Sequence, residues 1–361
     1  MYMESGGGFI LNRCEAYLKA LPGNASLIHR PENIRWLTGY TGEGCAFIAN
    51  AAQVIITDFR YVEQAGRQAP ECACERTGNG VTEAAVVKAL CDRYNIQKLS
   101  VETDYLTHDA YAELSDTLTA VELTSLKQLP QQLRLVKDAS EIACIRRAAE
   151  ISCQAFDRIL GKLKPGMTEK QAQILLDFEM LELGSERTAF DTIAAAGVNG
   201  SLPHATPSDH IIAPGELLTL DFGATVNGYC ADMTRTIGFG HIGGELRTMY
   251  QRVLDAQQMA LDAIHPGAVC EDVDRIARDY LDQYYPGAFG HSLGHGVGLF
   301  IHEQPRLARG DRTVLVPGHV VTIEPGVYLP GIGGCRIEDM AILTEDGFID
   351  PITAPKQLIE L

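Results

Sequence analysis

Two aspartates, Asp221 and Asp232, flank an Asn-Gly pair at positions 227 and 228, in a stretch otherwise rich in β-branched, aromatic and aliphatic residues. An Asn-Gly pair between such runs predicts an antiparallel hairpin. With a two-residue turn at this pair, Asp221 lies opposite Thr234 and diagonal to Asp232, whereas a turn one residue earlier makes the aspartates direct partners. In both registers they share a face, because side chains alternate along a strand. Two such carboxylates repel each other unless a cation or a shared proton lies between them, so the hairpin indicates a metal site.

A second strand-loop-strand segment, residues 319–343, also carries two carboxylates, Glu324 and Glu338. Both segments are preceded by the same elements, a predicted helix, a Pro-Gly pair and another predicted helix. The pair at Pro165 recurs at Pro266, and the carboxylates recur at nearly the same spacing. This repeat predicts two helix-helix-hairpin units packed about a pseudo-two-fold axis, with their hairpins facing each other.

The repeat would bring four carboxylates together, and four negative charges in a core need compensation. Two divalent cations would neutralise them. Oxygen ligands favour Mn(II), Fe(II), Co(II) or Mg(II), and an added imidazole favours the transition metals of that set. Candidate imidazoles are His291, His295 and His302 in the glycine-rich stretch 289–303, with the loop residue His204 as a weaker candidate.

The elements that must position these residues form two predicted domains after a leader at residues 1–8. Residues 9–130 alternate helical and strand patterns and predict an α/β domain. Its predicted helices are 14–20 and 81–94, and its predicted strands are 46–48, 54–57 and 98–102. Residues 131–361 contain the repeat and predict an α+β domain, and a proline at position 130 marks the boundary. The first domain shows no cluster of potential metal ligands, so its isolated histidines His29 and His108 are assigned surface or packing roles.

Bulk composition excludes several classes of function. The 361 residues include 30 Lys and Arg against 47 Asp and Glu, a formal net charge of −17. Such a surface repels nucleic acids and anionic membranes. The sequence shows no apolar run of membrane-spanning length and no secretory signal, so we expect a cytoplasmic protein. Its ten cysteines lack zinc-type CxxC spacing, which predicts free thiols.

Several motifs together resemble the proline-specific metallopeptidases of the pita-bread fold. They are Asp221-Phe-Gly, Asp232-Met-Thr-Arg, Gly294-His-Gly-Val-Gly, His302-Glu-Gln-Pro, Ile323-Glu-Pro-Gly-Val-Tyr and Arg336-Ile-Glu-Asp. That family includes Xaa-Pro dipeptidases, Xaa-Pro aminopeptidases, methionine aminopeptidases and the metal-free creatinases. Asn33-Ile-Arg-Trp-Leu-Thr-Gly-Tyr and Asp58-Phe-Arg-Tyr resemble the creatinase-type N-terminal domain, so the resemblance spans essentially the whole chain.

The resemblance implies a dinuclear metal centre in a pita-bread domain at residues 131–361. Its ligands would be Asp221, Asp232, His295, Glu324 and Glu338, with Asp232 and Glu338 bridging the two ions. Two adjacent ions can lower the pKa of a water molecule and polarise the scissile carbonyl. Mn(II) or Co(II) is expected, with Fe(II) and Zn(II) as alternatives.

The resemblance also implies roles for residues around that centre. Glu324 would take the proton of the attacking water, and His204 and His302 would bind the carbonyl oxygen as it gains charge. The substrate pocket would be lined by His291, Tyr328 and Arg336.

The activity implied is hydrolysis of the Xaa-Pro bond at the N-terminus of short peptides by a homodimeric exopeptidase. That bond is a tertiary amide without an N–H, so general peptidases that bind an extended hydrogen-bonded backbone handle it poorly. Dipeptidase and aminopeptidase share these motifs, and the choice between them stays open, as does the preferred residue before proline. Two alternatives are a catalytically silent binding protein and a different hydrolase on this fold, such as a metal-free creatine amidinohydrolase. The complete ligand set argues against both.

Overall fold

The computed structural model describes residues 6–361, and it describes side chains from residue 13 onward. Residues 1–5 of the predicted leader lie outside the described residues, whereas residues 6–8 open the first helix. The chain divides into two compact units between Arg134 and Leu135. The sequence places the division after residue 130.

The described part of the first unit is an α/β structure built on one mixed sheet. Its strands are β1 (Ala25–Ile28), β2 (Cys45–Ala49), β3 (Ala52–Thr57), β4 (Ala73–Arg76), β5 (Lys98–Val101) and β6 (Glu122–Ser125). Its helices are α1 (Gly6–Ala20), α2 (Pro31–Thr38), α3 (Val62–Gln68), α4 (Glu83–Arg93), α5 (His108–Thr117) and α6 (Leu129–Leu133). The strand order is β4-β3-β2-β1-β5-β6, in which β2 pairs antiparallel with β1 and β3 while every other pair is parallel.

All five elements predicted for this unit are present. The bounds of β2, β3, β5 and α4 differ from the prediction by only a residue or two at each end. Helix α1 begins at Gly6 instead of Cys14, and only its first three residues are glycines, which give no helical signal in the sequence. Strands β1, β4 and β6 and helices α2, α3, α5 and α6 were not predicted, since short elements contain too few apolar positions to show a period.

Residues 135–361 form four helices that occur as two packed pairs. They are α7 (Ala139–Leu160), α8 (Glu169–Glu182), α9 (Gly244–Asp262) and α10 (Cys270–Asp282). The predicted capping box at the start of α7 is confirmed. Asp138 accepts hydrogen bonds from the backbone N–H groups of Ser140 and Glu141, and the Glu141 carboxylate accepts one from the Asp138 N–H. Thr168 and Gln171 form the same box at the start of α8.

The strands of the second unit follow each helix pair, as the repeat predicts. After α8 come β7 (Ile193–Ala196), β8 (Leu217–Phe222), β9 (Thr225–Val226), β10 (Tyr229–Cys230) and β11 (Met233–Gly238). After α10 come β12 (Gly294–Gly296), β13 (Glu303–Leu307), β14 (Val320–Ile323), β15 (Gly326–Leu329), β16 (Gly333–Arg336), β17 (Asp339–Thr344) and β18 (Gly347–Ile349). The two larger sheets have the orders β11-β8-β7 and β13-β12-β14-β17-β18. Apolar residues of α9, α10, β14 and β17 form one buried core.

The register of the first hairpin decides between the two predicted turns. Val226 pairs with Tyr229, and Asp221 pairs with Thr234. The turn therefore consists of the Asn-Gly pair, whose φ angles of 47° and 74° are the left-handed values that a type I′ turn requires. The other register, with Asp221 directly opposite Asp232, is excluded.

No helix among the described residues is long and apolar enough to cross a membrane. The ten cysteines all lie in the described part of the chain, and all are free thiols. The prediction of free thiols is confirmed, and most of these side chains are buried in the two units.

Candidate metal centre

The four predicted carboxylates lie at the ends of hairpin strands. Asp221 is near the end of β8, and Asp232 directly precedes β11. Ile323 of β14 pairs with Asp339 of β17. The next residue beyond β14 is Glu324 and the one before β17 is Glu338, so the second hairpin also presents its two carboxylates together.

The two hairpins meet at Glu338. Its backbone N–H donates to the Thr234 carbonyl at 3.1 Å, and the Thr234 hydroxyl donates to Glu338 Oε2 at 2.7 Å. As a result, Asp221, Asp232 and Glu338 each offer a carboxylate oxygen, and these oxygens lie within 4.8 Å of one another. The predicted convergence of the two hairpins is thus present in the structure.

Two oxygens of this cluster lack hydrogen-bond partners among the described residues, although Asp221 Oδ2 is paired with Arg336. Asp221 Oδ1 and Glu338 Oε1 are buried and have no hydrogen-bond partner among the described residues. A buried acceptor left unpaired costs about 1–3 kcal/mol. Burial raises the pKa of the Asp232 and Glu338 carboxyls well above their ordinary values, and the neighbouring carboxylates raise it further. A pair of divalent cations fits this set of donors, because it would satisfy the unpaired oxygens and the excess charge.

His295 presents a neutral imidazole to the same cluster. Its Nδ1 lies 3.0 Å from the Gly296 carbonyl, so Nδ1–H donates there and Nε2 carries the lone pair. Nε2 lies 3.5 Å from Asp232 Oδ2 and 3.4 Å from Glu324 Oε1. Burial lowers the pKa of His295 to about 3, which keeps the ring uncharged. A lone pair facing two carboxylates is the arrangement of a metal ligand.

Glu324 lies beside His295 and is partly buried. Thr322 donates its hydroxyl to Glu324 Oε1 at 3.1 Å. Burial raises the pKa of the Glu324 carboxyl to about 8, although the positive charge of Arg336 opposes the shift. Without cations this carboxyl is therefore largely protonated at neutral pH, and a bound cation would return it to the ionised form that can accept a proton.

Arg336, Tyr328 and His291 form a hydrogen-bonded chain that starts at the cluster. Arg336 donates one N–H to Asp221 Oδ2 at 2.6 Å and another to the Tyr328 hydroxyl at 2.8 Å. His291 Nδ1–H donates to the Ser292 carbonyl at 2.8 Å, so Nε2 accepts from the Tyr328 hydroxyl at 2.8 Å. Burial lowers the pKa of His291 to about 4 and raises that of Tyr328 to about 12. Of these three hydrogen-bonded residues, Arg336 is therefore charged, and the Tyr328 hydroxyl and the His291 ring are neutral.

The predicted site residues surround one cavity of about 710 Å³. Those that line it are His204, Asp221, Asp232, His291, His295, His302, Glu324, Arg336 and Glu338. Tyr328 is not a lining residue and lies behind Arg336 and His291. The His302 ring packs edge-on against His295 with 4.5 Å between centroids, and burial lowers its pKa. His204 is exposed at the cavity.

The sequence missed several residues that shape this cavity. Thr234 and Thr322 hold Glu338 and Glu324 in place, and alternation could have found them, because each lies two positions from a carboxylate on the same strand face. Arg306 also lines the cavity, and no sequence motif marked it.

Two family models match the chain over most of its length. The model of metallopeptidase family M24 matches residues 143–345, and the model of the creatinase/prolidase N-terminal domain matches residues 11–136. The peptidase match lies within the second unit, and the N-terminal match covers most of the first unit and ends two residues past the division.

Relatives and solved structures agree with these models. An uncharacterized peptidase of Bacillus subtilis, YqhT, is 39% identical over 337 residues, which cover 93% of this chain and 95% of that protein. An Xaa-Pro dipeptidase structure from Bacillus anthracis has a TM-score of 0.92 at 38% identity, covering 98% of this chain and 99% of the other. An X-Pro aminopeptidase structure from Thermotoga maritima has a TM-score of 0.89 at 32% identity, covering 96% and 100%. The chain therefore belongs to metallopeptidase family M24 and carries a creatinase/prolidase N-terminal domain before its pita-bread peptidase domain.

Proposed function

We propose that this protein is a metal-dependent exopeptidase that hydrolyses the Xaa-Pro bond at the N-terminus of short peptides. The observation that carries the proposal is one cavity in which buried carboxylates with unpaired oxygens face a neutral imidazole. The names of the B. anthracis and T. maritima structures, an Xaa-Pro dipeptidase and an X-Pro aminopeptidase, support the substrate class.

The proposed metal ligands are Asp221, Asp232, His295, Glu324 and Glu338, with Asp232 and Glu338 shared between two ions. When bound, divalent ions at this place lower the pKa of a water molecule and polarise a carbonyl group. A ligand set of oxygens with one imidazole favours Mn(II) or Co(II), with Fe(II) and Zn(II) as alternatives.

Glu324 is the proposed proton acceptor. Oε1 receives the hydroxyl hydrogen bond from Thr322, which fixes the orientation of the carboxylate. A carboxylate held in this way can take the proton of the attacking water and pass it to the leaving amine. Arg336 forms a buried ion pair of 2.6 Å with Asp221, which fixes the position of the Asp221 carboxylate.

His302 and His204 are the proposed donors to the carbonyl oxygen. The half-buried His302 ring is neutral near pH 7, since burial lowers its pKa, and a neutral imidazole keeps one N–H to donate. A donor aimed at an oxygen that gains charge in the transition state lowers the barrier more than it strengthens substrate binding.

The proposed pocket combines polar and apolar walls. His291 and Arg336 supply polar groups, and Tyr328 braces both from behind. Phe190, Ile193 and Ile301 also line the cavity and offer an apolar surface to a pyrrolidine ring.

Assays with two substrates test the proposal and also distinguish a dipeptidase from an aminopeptidase. Cleavage of an Xaa-Pro dipeptide and not of an Xaa-Pro-Yaa tripeptide would identify a dipeptidase, and the reverse preference an aminopeptidase. Cleavage of neither peptide, with metal bound, would favour a binding protein instead.

A homodimer and a cytoplasmic location belong to the same proposal. The free thiols, which are typical of a reducing compartment, support the cytoplasmic location.

A further inference from the structure

A second cluster of potential metal ligands lies in the first unit. His29, Cys45 and Glu83 each offer one ligand atom, and the three atoms lie within 4.8 Å of one another. The sequence prediction that this domain contains no such cluster was therefore wrong, and His29 does not stand alone. The three residues are far apart in the sequence, so no spacing motif reveals them.

The fold of the unit brings these residues together from three elements. Strands β1 and β2 pair antiparallel with Ile28 opposite Ala46, so the next pair in the same register is His29 and Cys45. Glu83 is the first residue of α4, whose N-terminus favours a negative charge. The backbone of His29 is itself fixed, because its N–H donates to Glu102 Oε2 at 2.6 Å.

Glu83 connects the cluster, because its carboxylate bonds both the His29 ring and the Cys45 thiol. His29 Nε2 lies 2.7 Å from Glu83 Oε1, while His29 Nδ1 is buried and has no hydrogen-bond partner within the described part of the chain. Cys45 is fully buried, and burial raises the pKa of its thiol well above the ordinary value, to which the Glu83 charge adds. The Glu83 side chain is 38% exposed and opens the cluster to solvent.

We propose that His29, Cys45 and Glu83 form a second metal site, which takes a zinc-class divalent ion with water in the fourth position. A thiolate, an imidazole and a carboxylate are the three ligand types that Zn(II) uses. Bond lengths of about 2.0–2.3 Å place tetrahedral ligand atoms roughly 3.3–3.8 Å apart. The separations here, from 2.7 Å to at most 4.8 Å, bracket that range.

Binding at this site exchanges a proton for the ion. As the ion binds, the Cys45 thiol loses its proton to solvent, and the His29 proton moves from Nε2, where it faces Glu83, to the unpartnered Nδ1. The ion then joins β1, β2 and α4. A nucleophilic role for Cys45 does not fit, because its side chain has no exposed surface that a substrate could reach. The proposal is independent of the peptidase reaction, since these ligands differ from Asp221, Asp232, His295, Glu324 and Glu338, the proposed ligands of what we call the carboxylate centre.

The sulfur ligand gives the test its specificity. Co(II) bound to a thiolate shows charge-transfer absorption in the near ultraviolet, whereas the proposed ligands of the carboxylate centre contain no sulfur. The full chain titrated with Co(II) should show this band, and Cys45→Ser should lose it together with one equivalent of bound zinc. Cys91→Ser, a change at another buried cysteine of the same unit, is the matched control and should keep both.

A second variant keeps the test decisive if Cys45→Ser does not fold. Glu83→Gln changes a partly exposed ligand and should weaken zinc binding by more than about tenfold at unchanged Xaa-Pro hydrolysis. Absence of the thiolate band from the wild-type protein at saturating Co(II) would overturn the proposal. So would persistence of the band in Cys45→Ser, or wild-type zinc affinity in Glu83→Gln.

Discussion

Glu338 connects the two hairpins through Thr234, and its Oε1 has no hydrogen-bond partner among the described residues, which suits its proposed role as a ligand of both ions. Glu338→Ala should leave no measurable turnover, because a bridging position serves both ions. Arg336→Ala should retain some activity, because Arg336 contacts Asp221 and is not a proposed ligand. Turnover and bound metal measured on both purified variants give the comparison. If Arg336→Ala were the more damaging change, Glu338 would not lie between the ions.

A substitution at His302 can distinguish a role in catalysis from a role in metal binding, because the His302 ring packs against His295 and is not a proposed ligand. His302→Ala should keep its metal content and lose roughly 2.7–4 kcal/mol of transition-state stabilisation, a hundredfold or more in turnover. Loss of metal along with activity would instead make His302 a ligand. A lower melting temperature at near-wild-type turnover would make it a packing residue. One preparation assayed for metal, melting temperature and turnover distinguishes these results.

At the scale of elements, the Asn-Gly turn sets the register that places Asp221 and Asp232. Gly228 has a φ of 74°, where an alanine Cβ meets the following carbonyl oxygen. Gly228→Ala should lower the free energy of unfolding by about 1–2 kcal/mol. Gly161→Ala is the matched control, because Gly161 has a φ of −76° and open space around it, and it should be neutral or slightly stabilising. Denaturant titration of both variants measures the difference.

Local signals determined which elements could be predicted from the sequence. The Asn-Gly hairpin and the helix that begins after Asp138 depend on residues close together in the chain, so their patterns are visible there. Because the internal repeat places a hairpin with two carboxylates after each helix pair, it also predicted that the four carboxylates converge. The contacts of Arg336 with Asp221 and Tyr328 could not be predicted from periodicity, because they depend on how the strands meet. The same limit applies to His29 and its partners in the first unit.

For the whole molecule, the carboxylate centre links stability to pH and to metal. Burial raises the folded-state pKa of Glu324 from 4.5 to about 8 in the absence of cations, and it raises those of Asp232 and Glu338 as well. A raised carboxyl pKa contributes stability that is present below the unfolded-state value and is lost as pH rises through the folded-state value. The buried histidines His291 and His295, whose pKa burial lowers, change stability in the opposite sense up to about pH 6.5, so the melting temperature of the metal-free protein should fall between about pH 6.5 and about 8.

Added Mn(II) should counter this loss, so the rise in melting temperature on metal addition should grow over the same pH interval. Glu324→Gln should flatten the pH dependence of the metal-free protein, since the amide does not titrate. A metal-free wild-type protein whose stability rises over this interval would contradict the assignment of the raised pKa values to the cluster.

The most direct measurement of the central claim combines metal content with turnover on an Xaa-Pro substrate. Exhaustive chelation of the full chain should abolish hydrolysis, and Mn(II) or Co(II) should restore it as the carboxylate centre fills with two ions. Chelated Glu338→Ala, treated in the same way, should not recover. Full hydrolysis by a wild-type preparation shown to be free of metal would contradict the account.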